Sequence, residues 1–536
     1  MSDKQKSADA SSHPHDLEYG KARPDRFASI FGGKGVTVGP RICEIPPHLR
    51  GEASDTDDSS EAILKRQLAL EDGASIQYRT CSWQKTAALL FSEYICLAIM
   101  SFPWSYSFLG LVPGLILTVV IAAIVLYTSL TLWEFCLRHP EIRDVCDLGQ
   151  TLFWGKTWAW WATAVMFVLN NTFIQALHVL VGAEWFNTIT DKASVGGCRT
   201  VEFSAVIAVI CWLASLPRTF SMMAKLGTAS AFFTFISVVL ATAFAGAQGK
   251  PAGYTPEKGE PIVTAIPLHS TTFVQGMAAF LNISYTFIGQ ITLPSFIAEM
   301  RDPRDFPKSL WACTIAEVIV FGVVGSVIYA YSGNQYVTAP AFGSLDELYK
   351  KVSFSFMVPT IIFLGCLYAS VTARFVFFRL FRNSRHMSDH TVVGWASWAS
   401  ILLTTWIFAF VISQVIPFFS SRESCRHWFK NVHPLTSAFF DLIVSTVLSV
   451  MSSLFDSWFG FIFWGVAFFR MRTADKNIGR VRNPVGDWLS KILNVVIILT
   501  GVYFLTVGTY ASVQGIIDAF HAGEVGGVFS CKSNAI

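Results

Sequence analysis

Two glutamates and one histidine lie inside strongly apolar stretches of the chain, where ionisable side chains are costly. Glu93 lies in LLFSEYICLA, Glu317 in CTIAEVIVFG and His178 in IQALHVLVGA. In a desolvated site, a carboxyl or an imidazole is able to take up and release a proton, which is the chemistry of a proton carrier. We therefore predict Glu93, Glu317 and His178 as candidate proton-coupling residues. The alternative is that each is satisfied by neighbouring helices and serves packing alone.

Two apolar stretches are interrupted in a way that a purely structural membrane helix does not need. The first, LLFSEYICLAIMSFPWSYSFLG, contains Pro103, and we expect it to kink or unwind near residues 97–102. The second, FLNISYTFIGQITLPSFIAEM, is interrupted by Gly289 and Pro294. Freed backbone N–H groups attract a carboxylate and freed carbonyls accept from an ammonium group, so this pair of breaks suits a zwitterion. Two proline-kinked packing helices are the alternative interpretation.

The groups around these breaks are the candidate binding residues. In the first stretch we favour backbone groups together with one serine hydroxyl, and in the second stretch the residues just before and at the glycine. The predicted binding residues are Leu97, Ala98, Ile99, Ser101, Tyr285, Thr286, Phe287 and Gly289. Asn170 and Asn171, in the stretch that also holds His178, are secondary candidates.

The elements that must position these residues are transmembrane helices. The 536-residue chain is 52% hydrophobic and only 14% charged, whereas about 25% charged is typical of soluble domains. Apolar runs long enough to cross a hydrocarbon core alternate with short polar connections, and their continuous apolarity favours helices over barrel strands. The tenth run is long enough to contain a break. We predict eleven spans, at residues 86–110, 112–137, 157–187, 201–217, 222–246, 271–298, 309–331, 354–378, 392–417, 435–468 and 488–515.

Composition divides the chain into three parts. Residues 1–80 are rich in charge, Ser, Pro and Gly, and we predict a disordered tail because they cannot bury enough apolar surface to fold alone. Residues 81–520 are predicted to form the transmembrane domain, followed by a short tail at 521–536. Connections after even-numbered spans carry more Lys and Arg than the others, which predicts a cytosolic N-terminus and an extracytosolic C-terminus. We expect the plasma membrane, although a vacuolar membrane would leave the same pattern.

The N-terminal tail contains a candidate regulatory segment. Residues 52–61, EASDTDDSSE, place hydroxyls among acidic residues, which suits phosphorylation by an acid-directed kinase. Nearby lysines are expected to be accessible to a ubiquitin ligase, so we predict that both enzymes regulate endocytosis of the protein. A solvated linker is the alternative. The lysines are Lys4, Lys6, Lys21 and Lys65.

Other kinds of chemistry are not indicated by the sequence. It contains no phosphate-binding loop, metal-ligand cluster, CxxC motif or nucleophile arrangement, so we expect neither an enzyme nor an ATP-driven pump, and no metal, cofactor or nucleic acid partner. Cys198 and Cys425 lie in connections predicted to be extracytosolic. They are either a disulfide pair or free thiols, since spacing alone does not show that two sulfurs meet.

Four segments resemble one known family. Residues 289–311, GQITLPSFIAEMRDPRDFPKSLW, resemble the pattern of glycine, acidic residue with Met, Asp/Asn-Pro and Asp-Phe-Pro-Lys that marks the amino acid/auxin permease family. Residues 101–114 (SFPWSYSFLGLVPG), 368–381 (YASVTARFVFFRLF) and 390–395 (HTVVGW) resemble the fungal branch of that family. The resemblance covers residues 83–515, which is everything except the tails.

The family lies within the amino acid polyamine organocation superfamily. The resemblance therefore implies two inverted five-helix repeats plus one extra helix, with discontinuous helices 1 and 6, that move substrate by alternating access. It further implies symport of neutral and aromatic amino acids with protons. Some relatives use sodium instead, for which Ser370 and Thr372 would supply hydroxyl ligands. A carrier of another small solute and an amino acid sensor with little transport are alternatives.

The chain departs from the family pattern at one position that matters. Ala98 stands where the family usually has glycine in the unwound part of helix 1. A methyl group narrows the space for the backbone of a substrate at that point. We therefore expect a smaller, shifted or altered set of substrates.

Overall fold

The computed structural model describes residues 26–33, 35–44, 78–95, 97–190, 199–382, 384–415, 448–479 and 484–521, and the single residues Ile63 and Ala69. These residues form helices, and the pairing between strands is limited in them to one isolated bridge, Cys81 with Met300. Nine of the described helical segments are long and apolar enough to cross a membrane. Two further helices complete the bundle: one is only 16 residues long and the other is split in two.

We label the membrane helices of the described chain in order. Helix α1 consists of α1a (Trp83–Tyr94) and α1b (Phe102–Leu109), joined by a 3₁₀ turn at Leu97–Ser101. Helix α6 consists of α6a (Phe273–Phe287) and α6b (Leu293–Glu299). The others are α2 (Leu111–Arg138), α3 (Thr157–Thr190), α4 (Arg199–Ala214), α5 (Phe220–Ala247), α7 (Phe306–Tyr336), α8 (Glu347–Leu380), α9 (Val392–Val415), α10 (Leu448–Asn477) and α11 (Pro484–Asp518).

The eleven helices match the eleven predicted spans, with differences at their ends. Helix α8 is longer than the predicted 354–378 because its first turns, which hold Lys350 and Lys351, continue past the apolar stretch. Helix α10 ends at Asn477 rather than at 468, and its predicted beginning at 435 lies outside the described residues. Hydropathy predicts only the part of a helix that lies in the apolar membrane core. The helix itself extends beyond that part wherever its backbone hydrogen bonds continue.

The first ten helices form two repeats of opposite orientation. We call the end of the bundle that holds residues 138–156, 299–308 and 379–391 the tail face, and the opposite end, with residues 248–272 and 337–346, the far face. Helix α1 begins at the tail face and α6 at the far face, and each is interrupted near its middle. Two antiparallel five-helix units with equivalent breaks, plus α11, are the inverted-repeat architecture of secondary transporters.

Two prolines begin the second halves of the broken helices. Pro103 and Pro294 lie in the first turn of α1b and α6b, where a missing N–H costs nothing and a fixed φ favours helix. The chain leaves the α-helical conformation at Ile95, whose ψ is 77°, and continues as a 3₁₀ turn from Leu97. The break in α1 therefore begins before the predicted segment 97–102, because Pro103 starts a new helix rather than kinking a continuous one.

The buried apolar side chains form two large clusters, one on each side of the breaks. The cluster nearer the tail face includes Leu89, Leu293 and Leu367, while the cluster nearer the far face includes Ile99 and Leu281. The side chains that point outward from α5, α7, α9 and α11 are mostly apolar, as expected of surfaces that meet lipid. The buried polar groups of the two helix breaks lie between these two apolar clusters.

Two segments of the N-terminal tail pack against the tail face, which differs from the expectation of disorder for residues 1–80. In the short helix Arg26–Phe31, the Ile30 carbonyl accepts a hydrogen bond of 3.1 Å from the Trp311 indole, and the Phe31 ring lies 5.4 Å from that indole. Arg41 forms an ion pair with Glu141. Aromatic and ionic contacts with the bundle thus stabilise these two segments, which cannot bury enough apolar surface to fold alone.

Several predictions from the sequence concern residues that lie outside the described ones. Residues 52–61 and the four tail lysines are among them, as are residues 522–536. Cys198 and Cys425 also lie outside, so a disulfide and two free thiols both stand as alternatives for them. The seven cysteines described in the structure are free thiols, six of them buried.

Candidate functional site

The two helix breaks are tied to each other by hydroxyl groups at equivalent positions. Ser101 immediately precedes α1b, and its hydroxyl lies 2.5 Å from the Ala98 carbonyl and 3.1 Å from Asn282 Oδ1 in α6a. Thr292 immediately precedes α6b, and its hydroxyl lies 2.9 Å from the Gly289 carbonyl and 2.8 Å from Glu93 Oε1 in α1a. Each break therefore contacts the opposite broken helix through one hydroxyl.

Glu93 is the charged residue at the centre of this arrangement. Its side chain is buried, and Oε1 accepts hydrogen bonds from the Thr292 hydroxyl and, at 2.9 Å, from the Tyr368 hydroxyl in α8. Its other oxygen, Oε2, is buried and has no hydrogen-bonding partner among the described residues. A buried carboxyl with one satisfied and one unsatisfied oxygen is suited to exchange a proton or to bind a donor.

A small cavity lies beside Glu93, between the two apolar clusters. It offers about 40 Å³ to the centres of water-sized molecules, which is room for about two or three waters. Helices α1, α3, α6, α8 and α10 contribute its walls. The lining residues are Glu93, Tyr94, Asn170, Ile174, His178, Tyr285, Thr286, Ile288, Gly289, Ile291, Leu364, Tyr368, Asp456 and Phe459.

Five of the residues predicted from the sequence meet at this cavity. Glu93 and His178 do so among the proton-coupling candidates, and Tyr285, Thr286 and Gly289 among the binding candidates. Of the secondary candidates, Asn170 lines the cavity, whereas Asn171 donates a 2.9 Å hydrogen bond to the Thr372 hydroxyl. The sequence signals that identified them were the breaks and the polar groups in apolar stretches.

The other predicted binding residues do not line the cavity. Ile99 and Phe287 are buried in the apolar cluster nearer the far face, and Leu97 packs against it. Ala98 and Ser101 belong to the 3₁₀ turn, which stays coiled and satisfies the Ala98 carbonyl through Ser101. Fewer residues of α1 than the sequence predicted therefore have backbone groups free of helical hydrogen bonds. The reason is that the 3₁₀ turn continues the helix in a tighter form.

Glu317 in α7 lies near the cavity but outside its lining. Its carboxyl accepts a 3.3 Å hydrogen bond from the Cys313 thiol one turn earlier. Tyr94 interacts electrostatically with both Glu317 and Glu93, so its ring lies near the two carboxyls. Glu317 therefore lies close to Tyr94 and Glu93 without lining the cavity.

Gly289 permits a close approach between the break in α6 and α1a. A Cβ atom at this position would lie 2.6 Å from the Tyr94 ring, closer than real Cβ contacts come. Any side chain here would push Tyr94, and with it α1a, away from the break in α6. This packing gives a physical reason for the glycine in the segment that carried the resemblance.

The two hydroxyls considered for sodium have different surroundings. Thr372 donates a 3.0 Å hydrogen bond to the Tyr368 carbonyl and accepts one from Asn171, so its oxygen is engaged. The Ser370 hydroxyl is buried and lacks a hydrogen-bonding partner among the described residues. Only one of the pair therefore has an oxygen available to a cation.

Sequence reasoning missed several residues of the site, among them Tyr368, Thr292 and Asp456. Tyr368 and Thr292 lie in segments that carried the family resemblance, but nothing in the local sequence indicates that both donate to Glu93. Asp456, which the sequence analysis did not include among the candidates, lies in the tenth span and lines the cavity. A carboxylate within an apolar run was the available signal for Asp456.

The tail face has a different electrostatic arrangement, built from ion pairs. Arg138 lies 2.9 Å from Asp475 and 2.5 Å from Glu134, and both Arg138 and Asp475 are almost fully buried. Two backbone hydrogen bonds join the start of α1a to the end of α6b. The Cys81 N–H donates to the Glu299 carbonyl over 3.0 Å, and the Arg301 N–H donates to the Cys81 carbonyl over 2.9 Å. Glu299 also forms an ion pair with Arg374 in α8.

A second group of charges closes the tail face between α2 and α8. Arg379 lies 3.1 Å from Asp144 and 2.9 Å from Asp147. Burial and the neighbouring Asp147 raise the pKa of Asp144 to about 6, against the opposing effect of Arg379. Burial also lowers the pKa of His139, which accepts a 3.1 Å hydrogen bond from the Ile42 N–H of the tail.

The fold and the site together define the class of protein: an integral membrane transporter of inverted-repeat type, with a cavity at the paired helix breaks. The family model described as "Transmembrane amino acid transporter protein" matches residues 79–421. The chain belongs to that family, which confirms the resemblance found in its sequence.

Individual relatives extend over most of the chain. The "N amino acid transport system protein" of Neurospora crassa is 29% identical over 475 residues, covering 88% of this chain and 92% of the relative. A "Transmembrane transporter" of Gibberella moniliformis is 27% identical over 494 residues, covering 91% and 94%. Among solved structures, MhsT in complex with L-phenylalanine gives a TM-score of 0.45 at 12% identity, over 83% of this chain and 100% of that chain.

Proposed function

We propose that this protein is a secondary active transporter that carries amino acids through its central cavity by alternating access. Membership of the transmembrane amino acid transporter family supports this proposal, as does the printed name of the Neurospora crassa relative. The cavity adjoins the break in α6 and the end of α1a, where freed backbone groups suit the charges of a zwitterion. Because the cavity holds only a few waters, the helices must separate to admit an amino acid.

The substrate class we propose from the family resemblance is neutral and aromatic amino acids. The apolar part of the cavity lining, formed by Ile174, Ile291 and Leu364, is compatible with an uncharged side chain. Arg and Lys do not occur among the described residues that line the cavity, so the substrate carboxylate depends on backbone N–H groups. An acidic amino acid would place a second carboxylate beside Glu93 and is expected to be excluded.

The observation that carries proton coupling is the shared hydroxyl of Thr292. It has one hydrogen and two acceptors, Glu93 Oε1 at 2.8 Å and the Gly289 carbonyl at 2.9 Å. When Glu93 is protonated, it is able to donate to Thr292, and Thr292 then donates to Gly289. When Glu93 is ionised, it attracts the Thr292 hydrogen, and the Gly289 carbonyl loses that donor.

Protonation of Glu93 would thus decide whether the break in α6 is held in one conformation by Thr292. A break that is already ordered binds its substrate at a lower conformational cost, so proton and substrate favour each other's binding. Protonation also removes a charge from the membrane interior before the helices move. Glu317 is the second candidate for the proton, and His178 the third.

The test is uptake of labelled neutral, aromatic, basic and acidic amino acids into transporter-deficient cells that express the protein, at pH 5 and pH 8 and with surface abundance controlled. We expect saturable uptake of neutral amino acids that increases in acid. Glu93→Gln, which resembles the protonated residue, should retain substrate binding and exchange while losing the dependence on pH. Glu317→Gln tests the second candidate for the proton, and loss of the pH dependence in this variant alone would assign the proton to Glu317. Glu184→Gln, a buried carboxyl outside the cavity lining, is the matched control and should keep the pH dependence.

Other outcomes assign the function differently. Uptake that is independent of pH but is lost when external sodium is replaced would indicate sodium coupling. Ser370 would then be the first residue to examine. Binding without uptake at normal surface abundance would favour an amino acid sensor. Failure of every amino acid to bind would favour a carrier of another small solute.

We further propose that the tail face lies in the cytosol and the C-terminus on the other side, in the plasma membrane. The tail face carries Arg138, Arg379 and the other arginines of the even-numbered connections, in line with the positive-inside rule. A kinase and a ubiquitin ligase would then have access to the N-terminal tail. Protease protection of epitope tags at residue 1 and residue 536 tests the orientation, since only the first should be reached from the cytosol.

A further inference from the structure

The part of the cavity wall that α10 forms contains a carboxylate that the proposed transport cycle does not use. Asp456 lies in α10 within a run of π-helix, Ser452–Ile462. Its side chain is only 5% exposed, it lines the cavity, and Oδ2 has no hydrogen-bonding partner among the described residues. Runs of π-helix are rare and are concentrated at functional sites, because the wider turn redirects side chains.

Two polar side chains of α3 share the cavity lining with Asp456. His178 Nδ1 lies 2.7 Å from the Ile174 carbonyl. A carbonyl only accepts, so Nδ1 carries the hydrogen and the other ring nitrogen of the neutral imidazole, Nε2, is an acceptor. Asn170 donates its amide hydrogen to Asn171 over 3.3 Å. Lys and Arg are missing from the lining as far as the chain is described, so the protein supplies no cation to Asp456 there.

We propose that Asp456, together with His178, forms a subsite for a positively charged substrate side chain, so that basic amino acids bind here in addition to neutral ones. This inference rests on the proposed function, because the helix breaks must hold the zwitterionic end of the same molecule. An uncompensated buried carboxylate is strongly unfavourable, and a lysine ammonium or an arginine guanidinium supplies the missing partner. The apolar side chains of Ile174, Leu364 and Phe459 would cover the methylene groups between the two ends.

The test compares lysine with norleucine, which has a side chain of similar length without the ammonium group. Each is used to inhibit uptake of labelled methionine by the wild type and by Asp456→Asn. We expect lysine to compete in the wild type, and the ratio of the half-inhibitory concentrations of lysine and norleucine to increase about tenfold or more in Asp456→Asn, because a buried charge-assisted hydrogen bond is lost. Glu184→Gln, a buried carboxyl of α3 outside the cavity lining, is the matched control and should leave the ratio unchanged.

A second measurement keeps the inference testable if a variant transports poorly. Lysine and norleucine are added to purified wild-type protein and to Asp456→Asn, and the shift in melting temperature reports binding. Stabilisation of the wild type by lysine that is lost in the variant, with the norleucine shift retained, supports the subsite.

Two outcomes would overturn the subsite. Either lysine neither competes nor stabilises in the wild type, or the lysine-to-norleucine ratio is unchanged in Asp456→Asn. If methionine is transported in either case, only this inference fails and amino acid transport stands. If none of the three amino acids binds, the proposed function fails as well.

Discussion

The tail face and the central cavity both bury charged side chains, but they satisfy them differently. At the tail face, Arg138 meets Asp475, and Arg379 meets Asp144. In the cavity, Glu93 and Asp456 have no Lys or Arg beside them in the described lining, and each has one oxygen without a hydrogen-bonding partner among the described residues. A buried polar group without a partner lowers stability, so the two regions serve different ends. The tail face is held together by its own charges, whereas the cavity leaves carboxylate oxygens available to a proton or to a bound cation.

The largest effect is expected from Arg138→Met, which breaks the paired region. The substitution removes the nearer of the two arginines beside the buried Asp475 and leaves Arg472 at 3.5 Å. Removing one partner of a buried ion pair costs up to about 3–5 kcal/mol. The melting temperature of the purified protein should therefore decrease markedly. Asp456→Asn is the comparison from the cavity and should change stability little. Equal losses in both variants would contradict the distinction between the two regions.

Gly289→Ala should have the next largest effect, and it acts on the cavity. The added methyl group would lie 2.6 Å from the Tyr94 ring, and overpacking of this kind costs about 1–3 kcal/mol. We expect uptake to decrease about tenfold or more. Gly276→Ala in α6a is the matched control, because a Cβ atom there meets nothing within 4 Å. If both variants transport equally well, the contact between Gly289 and Tyr94 does not matter for transport.

Thr292→Val tests whether one hydroxyl links Glu93 to the break in α6. Valine keeps the shape but removes the donor, and a lost hydrogen bond of this kind costs about 1 kcal/mol, or about fivefold in apparent affinity. We expect weaker substrate affinity and a flatter dependence of uptake on pH. Thr292→Ser retains the hydroxyl and should restore both properties. A valine variant with the pH profile of the wild type would refute the role of Thr292 in coupling.

The smallest effect concerns Asp144 at the tail face. Its pKa is raised from 3.8 to about 6, so the folded state binds more protons than the unfolded state between those values. This group's contribution to stability is therefore full below about pH 4 and is lost as the pH increases through about 6. The effect is on the order of 1 kcal/mol, because the side chain is partly exposed.

Asp144→Asn removes this titration while retaining a residue that caps the helix Val145–Leu152. The melting temperature of the wild type should decrease relative to the variant between pH 5 and pH 7. Parallel curves for the two proteins would show that Asp144 does not titrate in this range.

Much of the fold was predictable, because each membrane span must be apolar and long enough to cross the hydrocarbon core. The eleven apolar runs and the two interrupted helices follow from length, composition and two prolines. The position of the break in α1 was less predictable. Pro103 marks the start of α1b, but no Gly or Pro near Ile95 indicates the end of α1a. The docking of the tail through Phe31 and Arg41 was also not predictable, because it depends on surfaces formed by other helices.

The sequence by itself determined that the chain is a helical membrane protein and that polar chemistry is concentrated near Glu93 and Gly289. Only the tertiary structure decided which residues share the cavity: it brought Asp456 and Tyr368 in and left Ile99 and Phe287 in the apolar cluster. The physical reason is that hydropathy defines the axial position of a residue along its helix. The direction in which its side chain points is determined by the rotation of that helix, which packing against its neighbours and local 3₁₀ or π turns set together.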